Sequence, residues 1–212
     1  DRERYDVEGH LNLAELVSNG QFRPIFGCIF HDLDLVDHLE NKNTKKDVTQ
    51  AIMFERCVFM KPLLLRGVWF EKPLVFKECR FNGYVDFARA HLSGVSFHDC
   101  AFDEKVYFID TCFAPWKESL SEHIGYDADF SEVTFKDGAD FERSVFRGKT
   151  TFLKAVFYEA TTFTDIIFCK GPMGAEPDVG KDILVFASAQ IFGFVGFRKG
   201  ANKKQEQAGL EN

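Results

Sequence analysis

Aromatic residues recur along this chain at steps of five or six residues, and no other feature of the sequence constrains its fold as strongly. The repeat runs without a gap from residue 52 to residue 113, and a small or branched apolar residue, or a threonine, stands two positions before each member. The central residues of this run are Phe54, Phe59, Leu65, Phe70, Phe76, Phe81, Phe87, Leu92, Phe97, Phe102, Phe108 and Phe113, and their partners are Ile52, Cys57, Leu63, Val68, Leu74, Cys79, Val85, Ala90, Val95, Cys100, Val106 and Thr111.

The spacing of each pair predicts a short strand. Residues two apart in an extended strand point to the same side, so Cys57 and Phe59 face inward while Val58 faces outward. The residues between successive pairs must turn corners, and they are polar or rich in Gly and Pro, as turns require. His98-Asp99 is a predicted two-residue corner, and residues 82–84 form a predicted three-residue corner. The apolar spacing of a helix does not run through this stretch.

A chain that repeats a short strand and a corner winds into a coil. Four faces with corners of two, three, two and three residues give about 22 residues per turn. Successive coils stack at about the 4.8 Å spacing of neighbouring strands, which places each Phe over the Phe of the previous coil. Cys57, Cys79 and Cys100 are therefore predicted to form one column on an inner face.

With these inward pairs, the chain resembles the pentapeptide-repeat family in its Phe-rich form with alternating five- and six-residue steps. The resemblance implies an all-β fold, a right-handed quadrilateral β-helix. The handedness comes from the family and from the chirality of parallel crossovers.

The repeat also divides the chain. Residues 1–21 are predicted to form an N-terminal cap with a short helix near Leu11–Val17. Residues 22–197 are the β-helix, with predicted excursions near 36–51, 114–127 and 169–183, and residues 198–212 are a polar tail. After the second excursion the motif continues at Phe130, Phe135, Phe141, Phe146, Phe152, Phe157, Phe163 and Phe168, and the last coil is predicted to use Phe186, Phe192 and Phe197.

The excursion at 114–127 has the pattern of a short amphipathic helix. Pro115 suits a first helical position, and Trp116, Leu120 and Ile124 follow at steps of four. Its apolar side either packs on the outer surface of the β-helix or docks onto a protein partner. If this lapse and the later one at 169–183 each replace a single corner, both emerge from the same edge, two coils apart. If the first lapse instead contains three degraded faces, they lie on opposite edges.

The chain is acidic, with a net charge of −7 and a pI of about 5.4. Acidic residues are dense after the predicted helix, and they form either a solvated surface or a surface that engages a basic protein groove. Direct binding to nucleic acid is not expected, because phosphate contacts require a basic face. The acidic candidates are Asp127, Asp129, Glu132, Asp137, Asp140 and Glu142.

No catalytic constellation is recognisable. His98 and Asp99 are predicted to form a corner while Cys100 points inward, so these three side chains cannot converge. The sequence has no phosphate-binding loop, nucleophile elbow or zinc-type cysteine spacing, and it predicts no catalytic residue, cofactor or metal site. Cysteines at inward positions are expected to be free core thiols, which favours a reducing compartment, the cytoplasm. No apolar run reaches the roughly 20 residues of a membrane span.

These features predict a non-enzymatic pentapeptide-repeat protein that acts as an interaction or scaffold module for a protein partner. The resemblance also implies an alternative, because some members of the family mimic a DNA duplex and act on type II topoisomerases such as gyrase. The quinolone-resistance members carry two loops, and this chain is similar in length, acidity and number of loops. It differs from them in using Phe where they mostly use Leu, and in its six-residue steps.

Overall fold

A computed structural model of the protein describes residues 5–7, 25–31, 47–114, 128–168 and 184–199. The regular elements within these ranges are short strands, and they pair in parallel into four sheets. The chain visits the sheets in a fixed order, and we number them I to IV in that order. One passage through all four sheets makes one coil of a four-sided β-helix, as predicted.

Sheets I and II follow each other through a short corner. Sheet I contains β2 (Ile25–Phe26), β5 (Ile52–Glu55), β9 (Leu74–Lys77), β13 (Val95–His98), β17 (Ala128–Asp129), β21 (Thr150–Thr151) and β25 (Leu184–Val185). Sheet II contains β1 (Tyr5–Val7), β3 (Cys28–Phe30), β6 (Val58–Phe59), β10 (Arg80–Phe81), β14 (Ala101–Phe102), β18 (Thr134–Phe135), β22 (Val156–Phe157) and β26 (Gln190–Ile191).

Sheets III and IV complete each coil. Sheet III contains β7 (Leu63–Leu64), β11 (Val85–Asp86), β15 (Val106–Tyr107), β19 (Ala139–Asp140), β23 (Thr161–Thr164) and β27 (Val195–Arg198). Sheet IV contains β4 (Asp47–Val48), β8 (Trp69–Phe70), β12 (His91–Ser93), β16 (Cys112–Ala114), β20 (Val145–Phe146) and β24 (Ile167–Phe168).

The core is built from columns of aromatic rings, because the register places like residues over each other. Phe54, Phe76 and Phe97 are register partners in sheet I. The rings of Phe54 and Phe76 stack with centroids 5.1 Å apart and 8° between planes. Rings of adjacent sheets meet edge to face, as Phe76 and Phe81 do at 72°. Stacked and edge-to-face contacts are the two favourable aromatic geometries, and the core uses both.

The predicted cysteine column is confirmed on the inner side of sheet II. Cys57, Cys79 and Cys100 are buried, Cys28 is half-buried, and all four are free thiols. Each of the three buried thiols donates a hydrogen bond to a backbone carbonyl, as Cys79 does to Phe54 O at 3.5 Å. Cysteine at this position fills the space of a small apolar residue and also satisfies a corner carbonyl.

We name each corner by the two sheets that it connects. Corners I–II and III–IV have two residues in every described coil, and the second of these residues has a positive φ. The corner at His98-Asp99 is closed by a hydrogen bond from Cys100 N to Phe97 O at 3.2 Å, and Asp99 has a φ of 51°. Positive φ at the third residue of such a turn is what type II turns require. The residues concerned are Gly27, Arg56, Glu78, Asp99, Glu132, Lys154 and Ser188 at corner I–II, and Gly67, Arg89, Asp110, Arg143 and Asp165 at corner III–IV.

Corner II–III has three residues, and neighbouring coils approach closely there. Gly138 has a φ of 75°, and a Cβ built on it would lie 2.1 Å from Ala160 O. A side chain at this position would therefore collide with the backbone of the next coil.

Two parts of the chain differ from the sequence prediction, and two others lie outside the described residues. Residues Tyr5–Val7 of the predicted cap form a strand, β1, that pairs with β3 and extends sheet II. The predicted helix near Leu11–Val17 lies outside the described residues, as does the polar tail from residue 200. The predicted excursion at 36–51 is too long, because Asp47 and Val48 already form a strand of sheet IV paired with β8.

The assignment of Phe192 to the core is wrong. Ile191, not Phe192, is the register partner of Phe157 in sheet II. The reason is the two-residue corner at Ala187-Ser188, which makes the step from Phe186 five residues long. Phe192 consequently lies outside the core, where its ring stacks on that of Tyr158 at 5.1 Å.

Candidate functional site

Corner IV–I is the only corner of varying length among the described coils. The coils without insertions cross it with residues 49–51, 71–73, 93–94 and 147–149. The two long lapses of the repeat lie at this same corner. The first separates the end of β16 at Ala114 from the start of β17 at Ala128, and the second separates β24 from β25. The structure therefore confirms the arrangement in which each lapse replaces a single corner, so that both lapses emerge from the same edge.

The points at which the two insertions are attached are therefore close together on the solenoid. One uninterrupted corner, residues 147–149, separates them, so they lie two coils apart. At about 4.8 Å between neighbouring strands, their points of attachment differ by about 10 Å along the axis. Trp116, Leu120, Ile124 and Asp127 belong to the first insertion and lie outside the described residues.

The residues at the ends of the first insertion are packed in the core. Phe113 stacks on Phe146 at 4.9 Å, and Phe130 stacks on Phe152 at 4.8 Å. Ala128 is fully buried and Ala114 nearly so. Tight packing on both sides fixes the positions at which the insertion leaves and rejoins the coil.

The five described acidic candidates do not form one surface. They follow each other around a single coil, because residues close in sequence lie on different sides of a solenoid. Asp129 is on the outer side of sheet I and Asp140 on that of sheet III, while Glu132, Asp137 and Glu142 lie at corners I–II, II–III and III–IV. These five carboxylates are therefore distributed around the coil rather than aligned on one of its sides.

Two of these carboxylates cap corners. Asp129 Oδ1 accepts a hydrogen bond from Ser131 N at 2.8 Å, and Asp140 Oδ1 accepts one from Glu142 N at 3.0 Å. Asp129 is also 8% exposed, so it contributes little to the surface. This capping hydrogen bond can be recognised in the sequence. An Asp, Ser or Thr stands directly before the inward Phe, and a two-residue corner follows that Phe. The same hydrogen bond is made by Asp86, Ser96 and Thr151.

The remaining three acidic residues lie at corners. Lys154 Nζ lies 2.9 Å from Glu132 Oε1, and this hydrogen bond holds the pKa of Glu132 below its usual value. Glu142 pairs with the adjacent Arg143. Asp137 is exposed, and no side-chain hydrogen bond or ion pair joins it to another described residue.

An aromatic pair next to corner IV–I was not singled out by the sequence. On the outer side of sheet IV the rings of Trp69 and His91 stack at 3.9 Å and 11°, and Trp69 is 42% exposed. Burial, together with the charge of Arg147, lowers the pKa of His91, which keeps its ring neutral near pH 7. The sequence could have predicted this contact, because both residues occupy outward positions of sheet IV in neighbouring coils.

The histidine and cysteine residues near position 100 do not converge. His98 is a half-buried corner residue, Asp99 is exposed, and Cys100 faces the core, as predicted. Within the described ranges, no three side chains of the types His, Cys, Asp or Glu are grouped so that they could hold a metal ion. In the same ranges, no helix has the length and apolar character needed to cross a membrane.

Comparison with protein families agrees with this geometry. The sequence profile for pentapeptide repeats, in nine copies, matches residues 54–101, 76–116 and 123–168, which together are more than half of the chain. The matched segments contain most of the aromatic columns and corners described above. A search of curated proteins and a search of solved structures gave no significant match. The chain belongs to the pentapeptide-repeat family.

Proposed function

We propose that this protein is a non-enzymatic interaction module that binds a protein partner through the insertions at corner IV–I. The observation that supports this most directly is the shared location of the two insertions. Other coils cross the same corner with two or three residues, so the fold of the solenoid does not require the additional chain. Segments that a fold does not need, and that it displays side by side, are typical carriers of binding function.

The stacked core supports such a role, because it presents the insertions from a rigid base. A binding segment whose ends are fixed loses less conformational entropy when it binds than one on a mobile support. Two segments attached about 10 Å apart along the axis offer a partner two contacts on one edge. The exposed Trp69 ring on the neighbouring outer side of sheet IV extends this surface, and Trp is common among residues that dominate binding energy.

The proposal is tested by shortening the corner. Residues 114–127 are replaced by Arg-Gly-Lys, the sequence that crosses the same corner at 147–149, and residues 169–183 are replaced in the same way in a second variant. The matched control places Arg-Gly-Lys at 71–73, which changes the corner sequence without removing an insertion. Affinity capture followed by quantitative mass spectrometry compares the proteins bound by each variant.

We expect partners of the full chain to be lost from one or both shortened variants and retained by the control. Circular dichroism melts establish that the shortened solenoids remain folded. Equal recovery of partners by a variant lacking both insertions would remove the insertions from the binding site. Absence of any protein enriched over a bait-free sample would contradict the interaction function itself.

Modulation of a type II topoisomerase by duplex mimicry is the second candidate. The two insertions on one edge favour it, because the family members with that activity carry two loops. The distribution of Asp129, Glu132, Asp137, Asp140 and Glu142 around the coil does not favour it, since a duplex mimic needs aligned negative charge. A gyrase supercoiling assay with and without a fluoroquinolone tests this function, and no effect of micromolar protein would exclude it.

A reducing compartment such as the cytoplasm is the location that we propose. Cys28, Cys57, Cys79 and Cys100 are free thiols, and the last three are buried in the core. Proteins of oxidising compartments more often pair their cysteines. Fractionation of the source cells tests this location, and recovery in an oxidising compartment would contradict it.

A further inference from the structure

Large apolar and aromatic side chains are grouped on the outer side of sheet III. Leu64 of β7 and Tyr107 of β15 point outward in one column, with Asp86 of β11 between them. Tyr84, at corner II–III of the intervening coil, lies beside this column, and its ring meets that of Tyr107 edge to face at 6.3 Å and 81°. Leu64 is 43% exposed and Tyr84 38%. Grouped apolar side chains of this kind mark an interaction surface, whereas single ones do not. We call Leu64, Tyr84 and Tyr107 the sheet III patch.

The fold does not require apolar side chains at these positions. The same outward column continues with Asp140 of β19 and Thr162 of β23, which are polar. The position of Tyr84 in corner II–III is taken by Lys105 and Gly138 in the two coils that follow. Since other residue types serve in these coils, the sheet III patch is not needed to build the solenoid.

Two lysines border the sheet III patch. Lys61 is an exposed residue of corner II–III, three positions before Leu64. Lys105 Nζ lies 6.0 Å from the centre of the Tyr107 ring. In the part of the chain that the structure describes, neither lysine forms an ion pair. Both ammonium groups are therefore able to meet a carboxylate of another molecule.

The carboxylates around the patch are engaged within the protein. Asp86 Oδ2 lies 3.3 Å from Arg66 Nε, and Glu104 Oε2 accepts a hydrogen bond from Tyr84 N at 3.0 Å. The two lysines and Arg66 outnumber these two carboxylates, although the whole chain has a net charge of −7. A local excess of positive charge beside apolar side chains favours a partner that carries carboxylates beside its own apolar side chains.

The spacing of the sheet III patch suits an α-helix that lies along the axis of the solenoid. Leu64 and Tyr107 are two coils apart, which is about 10 Å at about 4.8 Å per coil. On an α-helix, residues i and i+7 lie on the same side, about 10.5 Å apart, and residues i+3 and i+4 lie between them. An extended strand instead places side chains on one side at steps of about 6.7 Å, which do not match the coils.

We propose that the sheet III patch binds an amphipathic, acidic helix of a protein partner. The apolar side of this helix covers the patch, and the carboxylates beside that side meet Lys61 and Lys105. Laying the apolar side of a helix on an apolar surface is a recurrent mode of recognition, and Tyr is common among the residues that dominate binding energy. Corner II–III is diagonally opposite corner IV–I, so this site is independent of the function proposed for the insertions.

Two synthetic peptides that differ only in charge test the proposal. Each has about 14 residues, with Leu at positions i, i+3, i+4 and i+7, and it is cross-linked on its polar side because isolated helices of this length are marginal. One peptide carries Glu beside the Leu residues and the other carries Lys. Fluorescence anisotropy of the labelled peptides measures their binding to the full chain.

We expect the Glu peptide to bind at least about tenfold more tightly than the Lys peptide, because like charges across an interface are unfavourable. The net charge of −7 by itself would attract the Lys peptide instead. A preference for the Glu peptide therefore reports the local surface rather than the field of the whole protein.

Variants at exposed positions assign the binding to the patch. The double variant Leu64→Ala and Tyr84→Ala leaves the core intact and is expected to bind the Glu peptide at least about tenfold more weakly. The double variant Lys61→Glu and Lys105→Glu is expected to reverse the preference between the two peptides. Ile167→Ala is the matched control, because Ile167 is 50% exposed on the outer side of sheet IV, and it is expected to bind like the wild-type protein. Circular dichroism melts establish that each variant remains folded.

Binding of neither peptide, equal binding of both, or tighter binding of the Lys peptide would overturn the proposal. Unchanged binding of the Glu peptide by the variant with Leu64→Ala and Tyr84→Ala would also overturn it. Light scattering of the same proteins examines another occupant. If the wild-type protein is a dimer that this double variant dissociates, a second copy of the chain covers the patch and the proposal is refuted.

Discussion

Phe141 and Phe163 lie face to face in the core, with ring centroids 4.6 Å apart and 5° between their planes. Phe108 covers the other face of Phe141 at 4.8 Å. Phe108 and Phe141 directly follow β15 and β19, and Phe163 lies in β23, so each successive coil supplies one ring to this column of sheet III. The middle ring shares both of its faces with the neighbouring coils. Stability in such a solenoid is held at the contacts between coils rather than within any one of them.

Two glycines should differ sharply in their tolerance of a methyl group. Both have positive φ, but the space around Gly67 is open, whereas a Cβ on Gly138 meets Ala160 O. Gly67→Ala therefore costs only the left-handed conformation, about 1 kcal/mol. Gly138→Ala adds a backbone collision and should cost about 2–4 kcal/mol in total. Urea denaturation measures the free energy of unfolding of both variants. Equal losses of stability would contradict the close approach of coils at corner II–III.

The carboxylates of Asp129 and Asp137 should contribute differently to the stability of the fold. Asp129→Ala leaves the buried Ser131 N–H without its acceptor and should lower the free energy of unfolding by about 1–2 kcal/mol. Asp137→Ala removes an exposed side chain and should change it by less than about 0.5 kcal/mol. Denaturant titration of the two variants is the measurement. If Asp129→Ala leaves the free energy of unfolding unchanged, this carboxylate does not stabilise the corner.

Asp103 should make stability depend on pH. Burial alone would raise its pKa, but an ion pair with Lys136 at 2.7 Å and a hydrogen bond from Arg80 at 2.6 Å hold the pKa below the usual value. The ionised Asp103 therefore contributes its full share to the free energy of unfolding above the unfolded-state pKa of about 3.9. This contribution is lost as the pH falls through the lower folded-state pKa.

Asp103→Asn is the variant that isolates this effect. It should lower the free energy of unfolding by about 1 kcal/mol at pH 7. The difference from wild type should shrink as the pH is lowered past about 3.9. Denaturation curves at a series of pH values provide the comparison, and a difference independent of pH would contradict the ion pairs.

Core thiols should be inert in the folded protein. A hydrogen bond with Cys79, together with burial, raises the pKa of Cys57, and a hydrogen bond with Cys100, together with burial, raises that of Cys79. Alkylation requires the thiolate, so these residues should react only after unfolding. The half-buried Cys28 should react earlier. Peptide mapping after timed alkylation gives the order, and rapid labelling of Cys57 or Cys79 would argue against the cysteine column.

The sequence predicted the repeating part of the fold well, because its signal is periodic. The inward columns, the corner at His98-Asp99 and the stacked cysteines follow from the spacing of residues two, five and six apart. The last coil was harder, since Ile191, Phe192 and Phe194 offer competing inward positions within four residues. The choice is made by the two-residue corner ending at Ser188, whose left-handed conformation the spacing does not reveal.

The acidic candidates are distributed around the coil for a different physical reason. Asp129, Glu132 and Asp137 are close in sequence, but each corner of a solenoid turns the chain onto another side. Groups meet when they lie one coil apart, as Glu132 and Lys154 do, 22 residues from each other. Surface patterns of this fold are visible only after the sequence is arranged by coil.

The stability of Phe141→Ala tests the central claim most directly, since that claim is a core of rings stacked from coil to coil. Loss of this ring should lower the free energy of unfolding by about 3–5 kcal/mol. Tyr84→Ala, which removes a 38% exposed aromatic side chain at corner II–III, should cost less than about 1 kcal/mol. Denaturation curves that show this contrast support the stacked core, whereas an unchanged stability of Phe141→Ala would contradict it.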